Sequence, residues 1–143
     1  LANISALKTQ WNAGRPIWIA ASTHEGEDEI ILKSHRTLLQ RFPDLLLILV
    51  PRHPERFNSV AQLIEQQGFN YIRRSGYLIP QAETQVLLGD SMGELMLLYG
   101  LANVALVGGS LVAHGGHNPL EPLDTDAILG KSNRTNIRRG FNM

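Results

Sequence analysis

The sequence predicts a doubly wound α/β fold, a parallel sheet covered by helices on both faces. Short continuous apolar runs recur at 17–21, 45–50 and 104–107, as expected of strands buried on both faces. Stretches with helical spacing lie between them. The connections are short and rich in Gly, Pro, Asn and Ser. Alternating strands and helices define a parallel sheet, and right-handed crossovers limit its topology. The predicted strand order is 3-2-1-4-5.

Ile4, Leu7 and Trp11 share one face of a first predicted helix, which Asn12-Ala13-Gly14-Arg15-Pro16 interrupts. The first strand follows at 17–21. Ser22 opens a polar stretch leading into a helix that reaches Arg41, with Ile30, Ile31, Leu38 and Phe42 on its apolar side. Pro43-Asp44 turns the chain into a strand over 45–50, which Pro51-Arg52-His53-Pro54 ends. A helix is predicted over 55–67, with Gly68 at its C′ position. Residues 69–72 form a third strand, 73–84 a loop and 85–88 a fourth strand. Ser91-Met92-Gly93-Glu94 fits a capping box ahead of Leu95. Residues 104–107 form the fifth strand. There is no internal repeat.

With 143 residues the chain is predicted to form one domain, and apolar residues make up 43% against 18% charged, a globular balance. Lys+Arg and Asp+Glu both number 13, so no basic excess points to a nucleic-acid partner. The absence of Cys excludes disulfides and thiolate chemistry and fits a reducing compartment. No apolar run has the length of a membrane span. A start at Leu1 rather than Met leads us to expect a piece of a longer polypeptide.

In open parallel sheets, ligands bind beyond the carboxyl ends of the strands. The chemistry-bearing residues cluster there: Ser22, Thr23, His24 and Glu25 after the first strand, and Pro51, Arg52 and His53 after the second. Gly89, Asp90, Ser91 and Gly93 follow the fourth, and Gly108, Gly109 and Ser110 the fifth. The opposite loops read as ordinary connections. After the fifth strand, Gly pairs lead to Asn118-Pro119-Leu120-Glu121. Asn before Pro suits a helix N-cap, and a helix N-terminus beside a Gly-rich loop suits an anion. A phosphorylated or carboxylated small molecule is the expected ligand.

Several residues carry two readings. Arg52 is a bidentate clamp on phosphate or carboxylate, or a solvated loop charge. His53 joins that clamp, or sits in a loop fixed by its two prolines. Ser22 and Thr23 line the site, or cap the helix that begins near Gly26. Glu94 touches ligand, or completes the capping box. Glu121 accepts from a ribose diol, or caps its helix. His114 and His117 flank a Gly pair, but without a carboxylate cluster they do not make a metal site. There is no G-x-G-x-x-G after the first strand, no Walker A sequence and no nucleophile elbow. These absences argue against a dinucleotide dehydrogenase, a P-loop NTPase and an α/β-hydrolase.

Four motifs together resemble the Kdo transferases of lipopolysaccharide synthesis, where Kdo is 3-deoxy-D-manno-oct-2-ulosonic acid. They are Trp18-Ile-Ala-Ala-Ser-Thr-His-Glu-Gly-Glu27, Leu47-Ile-Leu-Val-Pro-Arg-His-Pro-Glu-Arg-Phe57, Gly89-Asp-Ser-Met-Gly-Glu-Leu-Met-Leu-Leu-Tyr-Gly100, and Val107-Gly-Gly-Ser110 with His117-Asn-Pro-Leu-Glu-Pro122. The resemblance covers about residues 15–123; residues 124–143 do not align with the family and stay unassigned. It implies the Rossmann-like C-terminal domain of a GT-B glycosyltransferase, which binds the donor CMP-Kdo. The family's N-terminal domain carries the catalytic Glu and meets the lipid A precursor and the membrane. The whole enzyme would work at the cytoplasmic face of the bacterial inner membrane, without a metal or other cofactor. By similarity Arg52 faces the donor's phosphate or carboxylate, Gly93 and its neighbours lie near the nucleotide, and Ser110, Asn118 and Glu121 line phosphate and ribose. Ser22, Thr23, Pro51, His53, Glu94 and Gly109 complete the expected donor site, and no catalytic residue is expected in this chain. The other readings are the donor domain of a UDP-sugar enzyme of the same architecture, and a doubly wound interaction module without a ligand.

Overall fold

A computed structural model describes residues 2–11 and 14–109. Helix α1 (Ala2–Gln10) leads into strand β1 (Ile17–Thr23), helix α2 (Glu27–Arg41) and strand β2 (Leu46–Pro51). A 3-10 turn (Pro54–Arg56) precedes α3 (Phe57–Gln66) and β3 (Tyr71–Arg73). A second 3-10 turn (Arg74–Gly76) precedes β4 (Val86–Leu88), α4 (Leu95–Leu101) and β5 (Val104–Val107).

All pairings are parallel, and the sheet runs β3-β4-β2-β1-β5. The parallel doubly wound class is as predicted, but the strand order is not. β4 lies between β2 and β3, pairing Leu47 with Val86 on one side and Tyr71 with Val86 on the other. The physical reason is burial. Val86, Leu87 and Leu88 are fully buried, whereas every residue of β3 is half-buried and suits an edge. Helix–strand alternation also lapses here: β3 and β4 are joined by a 3-10 turn and a loop, with no α-helix between them.

The pleat divides the apolar side chains between two faces. Trp18, Ala20, Leu47, Leu49, Val86 and Leu88 meet Ile31, Leu32 and Leu38 of α2 and Val60 and Ile64 of α3. On the other face Ile17, Ile19, Ile48, Leu87 and Ala105 meet Trp11 and Leu98 and Leu101 of α4, with Ile4 and Leu7 of α1 packed against them. α1 therefore uses the face predicted for it.

Two polar groups stabilise the half of the molecule away from the strand ends. The buried Arg15 guanidinium donates to the carbonyls of Asp44, Gln81 and Thr84 at 2.9, 2.9 and 2.7 Å. It thereby ties together the loops that enter β2 and β4. His35 is fully buried on α2; the Trp18 indole donates to its Nδ1 at 3.1 Å. Indole is a donor only, so Nε2 carries the ring proton and donates to the Gln85 carbonyl at 2.8 Å. Burial, with Arg36 and Arg15 adding to it, pushes the His35 pKa down to about 4, against the Gln85 contact, which favours the charged form.

Candidate functional site

The carboxyl ends of β2, β1 and β5 lie side by side. β1 ends irregularly, with its register to β2 shifting between Ala21 and Thr23. Ser22 there takes a left-handed conformation, φ 58°, which costs a non-glycine residue energy. The Thr23 carbonyl accepts from the Arg52 amide at 2.9 Å and from Arg56 Nη1 at 3.0 Å. The Thr23 hydroxyl donates to Asp28 Oδ1 at 2.6 Å, and Asp28 forms an ion pair with Arg56. This network fixes the loop after β2. Pro51 is buried within it, while Arg52 and His53 are exposed. The His53 ring meets that of His24 edge-on, with centroids 6.2 Å apart.

β5 runs into the same rim. A Cβ on Gly108 would fall 2.3 Å from the Ser22 carbonyl oxygen and 2.7 Å from Thr23 Cα. Only glycine fits so close to another backbone. The Gly108 amide donates to the Ala21 carbonyl at 2.7 Å. Gly109 has φ +97°, and its amide donates to both oxygens of the Glu27 carboxylate, at 3.0 and 2.8 Å. Glu27 Oε1 also accepts from the His24 amide at 2.7 Å.

These contacts decide between the two readings of Ser22 and Thr23 as far as capping goes. Neither Ser22 nor Thr23 caps α2: its N-cap is Gly26, with no side-chain cap bond, and the Thr23 hydroxyl is turned to Asp28 instead. The positive end of α2 also meets its own carboxylates. Glu27, Asp28 and Glu29 fill its first turn, and the first two are buried. The N-terminus of α2 is therefore not open to an anion.

The turn after β4 departs from its sequence motif as well. Glu94 is the N-cap of α4 but makes no side-chain cap bond, so the predicted capping box does not form. Its carboxylate instead accepts the two-pronged Arg74 guanidinium, at 2.8 and 3.0 Å, and the Ser91 hydroxyl. The hydrogen bond from Arg74 holds its pKa below the usual carboxylate value, against the opposing effect of burial. Asp90 accepts from Arg73 at 2.7 Å and from the Ser75 amide and hydroxyl, both at 2.7 Å. Burial raises its pKa, but those hydrogen bonds outweigh it and the net shift is downward. Gly93 is exposed at φ +81°, with open space where a side chain would stand.

Of the sequence-predicted residues, Ser22, Thr23, Pro51, Arg52, His53 and Gly109 come together at the ends of three adjacent strands. Gly93 and Glu94 follow β4, the next strand along. Ser110, Asn118 and Glu121 lie outside the described residues, as do His114 and His117. No group of three or more metal-ligating side chains occurs among the described residues. Sequence reasoning missed Glu27, Asp28 and Arg56. Glu27 and Asp28 read as a solvated acidic stretch ahead of an apolar helix face; the signal available for Glu27 and Arg56 was their place inside two of the four family motifs. A polar groove of about 350 Å³ runs between α2 and α3 from the strand-end network, lined by Glu25, Asp28 and Arg56 at that end and by Glu29, Ser59 and Gln62 among others.

A doubly wound parallel sheet whose strand ends present a glycine turn and an exposed Arg-His pair defines a Rossmann-like domain with a candidate site at those ends. Comparison with known proteins narrows this. The chain is 68% identical over 123 residues to the 3-deoxy-D-manno-octulosonic acid transferase of Haemophilus influenzae, a match covering 86% of this chain and 29% of that protein. It is 43% identical over 126 residues to the Bordetella pertussis protein of the same name, covering 82% and 29%. A crystal structure of the C-terminal CMP-Kdo binding domain of WaaA from Acinetobacter baumannii superposes with TM-score 0.75 at 42% identity, covering 87% of this chain and 66% of that one. No protein-family model matches the chain. The chain belongs to the 3-deoxy-D-manno-octulosonic acid transferase family. It spans less than a third of the length of these curated relatives.

Proposed function

We propose that this chain is the donor-binding part of a Kdo transferase and holds CMP-Kdo at the carboxyl ends of β2, β1 and β5. The observation that carries this reading is the 42% identity and shared fold with a CMP-Kdo binding domain. The site chemistry agrees with it. CMP-Kdo carries one phosphodiester and one carboxylate, and the exposed Arg52 guanidinium suits either. The Arg52 backbone is fixed by its amide on the Thr23 carbonyl, and among the described residues its guanidinium has no hydrogen-bond partner. The donor's modest negative charge needs no divalent cation, so the site is proposed to work without metal, and a chelator should leave binding unchanged. Ser110, Asn118 and Glu121 are proposed to complete the site around phosphate and ribose.

In the whole enzyme, Kdo would pass from CMP-Kdo to a hydroxyl of a lipid A precursor with inversion at the anomeric carbon. A carboxylate base on the remainder of the polypeptide takes the acceptor proton. Cationic groups around the donor stabilise the departing CMP. Contact with the lipid acceptor and with the cytoplasmic face of the inner membrane belongs to that remainder. Titrating the protein with CMP and UDP tests the donor assignment. CMP should bind saturably and UDP at least tenfold more weakly; the reverse preference points to a UDP-sugar enzyme, and no binding of either to a module without a nucleotide ligand.

A further inference from the structure

We propose that Glu27 is a positioning residue for donor binding, a buried carboxylate that fixes the β5 turn against the His24–His53 side of the rim. The proposal rests on the donor-site reading above and adds to it a residue that touches no ligand. Glu27 is fully buried. Its carboxylate joins backbone amides 82 positions apart at Gly109 and 3 positions apart at His24. The Glu27 amide in turn donates to the His24 carbonyl at 3.0 Å.

A desolvated carboxylate is expensive to bury, and Ile31, Leu32 and Leu38 already hold α2 to the sheet through one apolar cluster. What Glu27 adds is direction. Gly108 is jammed against the Ser22 carbonyl, Gly109 turns with positive φ, and the carboxylate grips the Gly109 amide with both oxygens. Together these set the angle at which the chain leaves β5. Through His24 the same carboxylate orients a ring that meets His53, the neighbour of Arg52. One side chain thus sets the geometry of two loops on either side of β1.

Glutamine is the discriminating substitution. It has the same shape, but one oxygen becomes an NH2 that faces the donor amides of Gly109 or His24. In Glu27→Gln the Gly109 and His24 amide resonances of the ligand-free protein should move upfield, because both lose a charged acceptor. CMP affinity should fall by roughly tenfold to a hundredfold, the scale of a misplaced binding group. Arg36→Ala, on the far side of α2, serves as the control and should bind CMP as wild type does. Amide resonances that stay in place overturn the hydrogen-bond geometry. Amides that move while CMP affinity holds reduce Glu27 to a structural residue and overturn the proposal. Should wild type itself fail to bind CMP, the donor-site reading falls and the positioning role with it. If Glu27→Gln does not fold, Glu27→Asp keeps the charge but shortens the reach to Gly109, and its CMP affinity should fall in the same direction. Wild-type affinity in that variant overturns the proposal.

Discussion

Between pH 7.5 and pH 5, acid should destabilise this protein chiefly through His35, before the carboxylates of Asp90 and Glu94 titrate. The folded chain keeps the imidazole neutral between the Trp18 indole and the Gln85 carbonyl, with a pKa of about 4. The unfolded chain takes up that proton near the ordinary value of 6.5. Between these values the unfolded state binds more protons, so stability falls as pH is lowered. The stabilisation is fully present above pH 6.5, is lost progressively as pH drops, and is gone below about pH 4. One pKa unit corresponds to about 1.4 kcal/mol, so the whole effect is roughly 3 kcal/mol and the loss by pH 5 about 2 kcal/mol. Urea unfolding at pH 7.5 and pH 5.0 measures it, compared with His35→Gln, which cannot titrate. With a urea dependence of about 2 kcal/mol per molar, the wild-type midpoint should fall by about 1 M more than the mutant's. Parallel pH dependence in the two proteins would refute the reasoning.

Other substitutions test the remaining parts of the account. Arg15→Met strands three carbonyls that share one guanidinium; thermal melts should show a loss of about 3 kcal/mol, or roughly 5–10 °C, with CMP affinity unchanged. Gly108→Ala drives a Cβ into the Ser22 and Thr23 backbone, so it should cost about 1–3 kcal/mol and also weaken CMP binding in a calorimetric titration. Arg52→Ala should weaken CMP-Kdo binding about tenfold or more through loss of a charge-assisted contact. Arg36→Ala, which removes a Gln67 contact and a cation stacked on Phe69, should lower only the melting temperature; equal effects on binding would make Arg52 a surface charge.

The parts of the fold visible in the sequence are those decided locally. β1, β2 and β5 announce themselves as apolar runs that stop at Ser22, Pro51 and Gly108, and Arg52 and His53 stand out because they come just after such a run. The order of β3 and β4 was hidden, because which strand lies at the edge depends on the whole sheet. Tyr71-Ile72-Arg73 and Val86-Leu87-Leu88 do differ in polarity, and that difference was the available signal. The Ser91–Glu94 spacing matched a capping box, but Arg74 competes for the same carboxylate from across the sheet edge. Glu27 and Asp28 look solvated in sequence because their partners, Gly109 and Arg56, come from distant segments. Long-range polar pairing of this kind leaves no local periodicity to read.

The most direct test of the central claim is an amide chemical-shift map of the protein titrated with CMP. The account predicts that the perturbed resonances gather at His24, Arg52, His53, Gly93 and Gly109, around the ends of β1, β2, β4 and β5. Perturbations confined to Ser59, Gln62 and Gln66 in the α2–α3 groove, or none at saturating CMP, would contradict it.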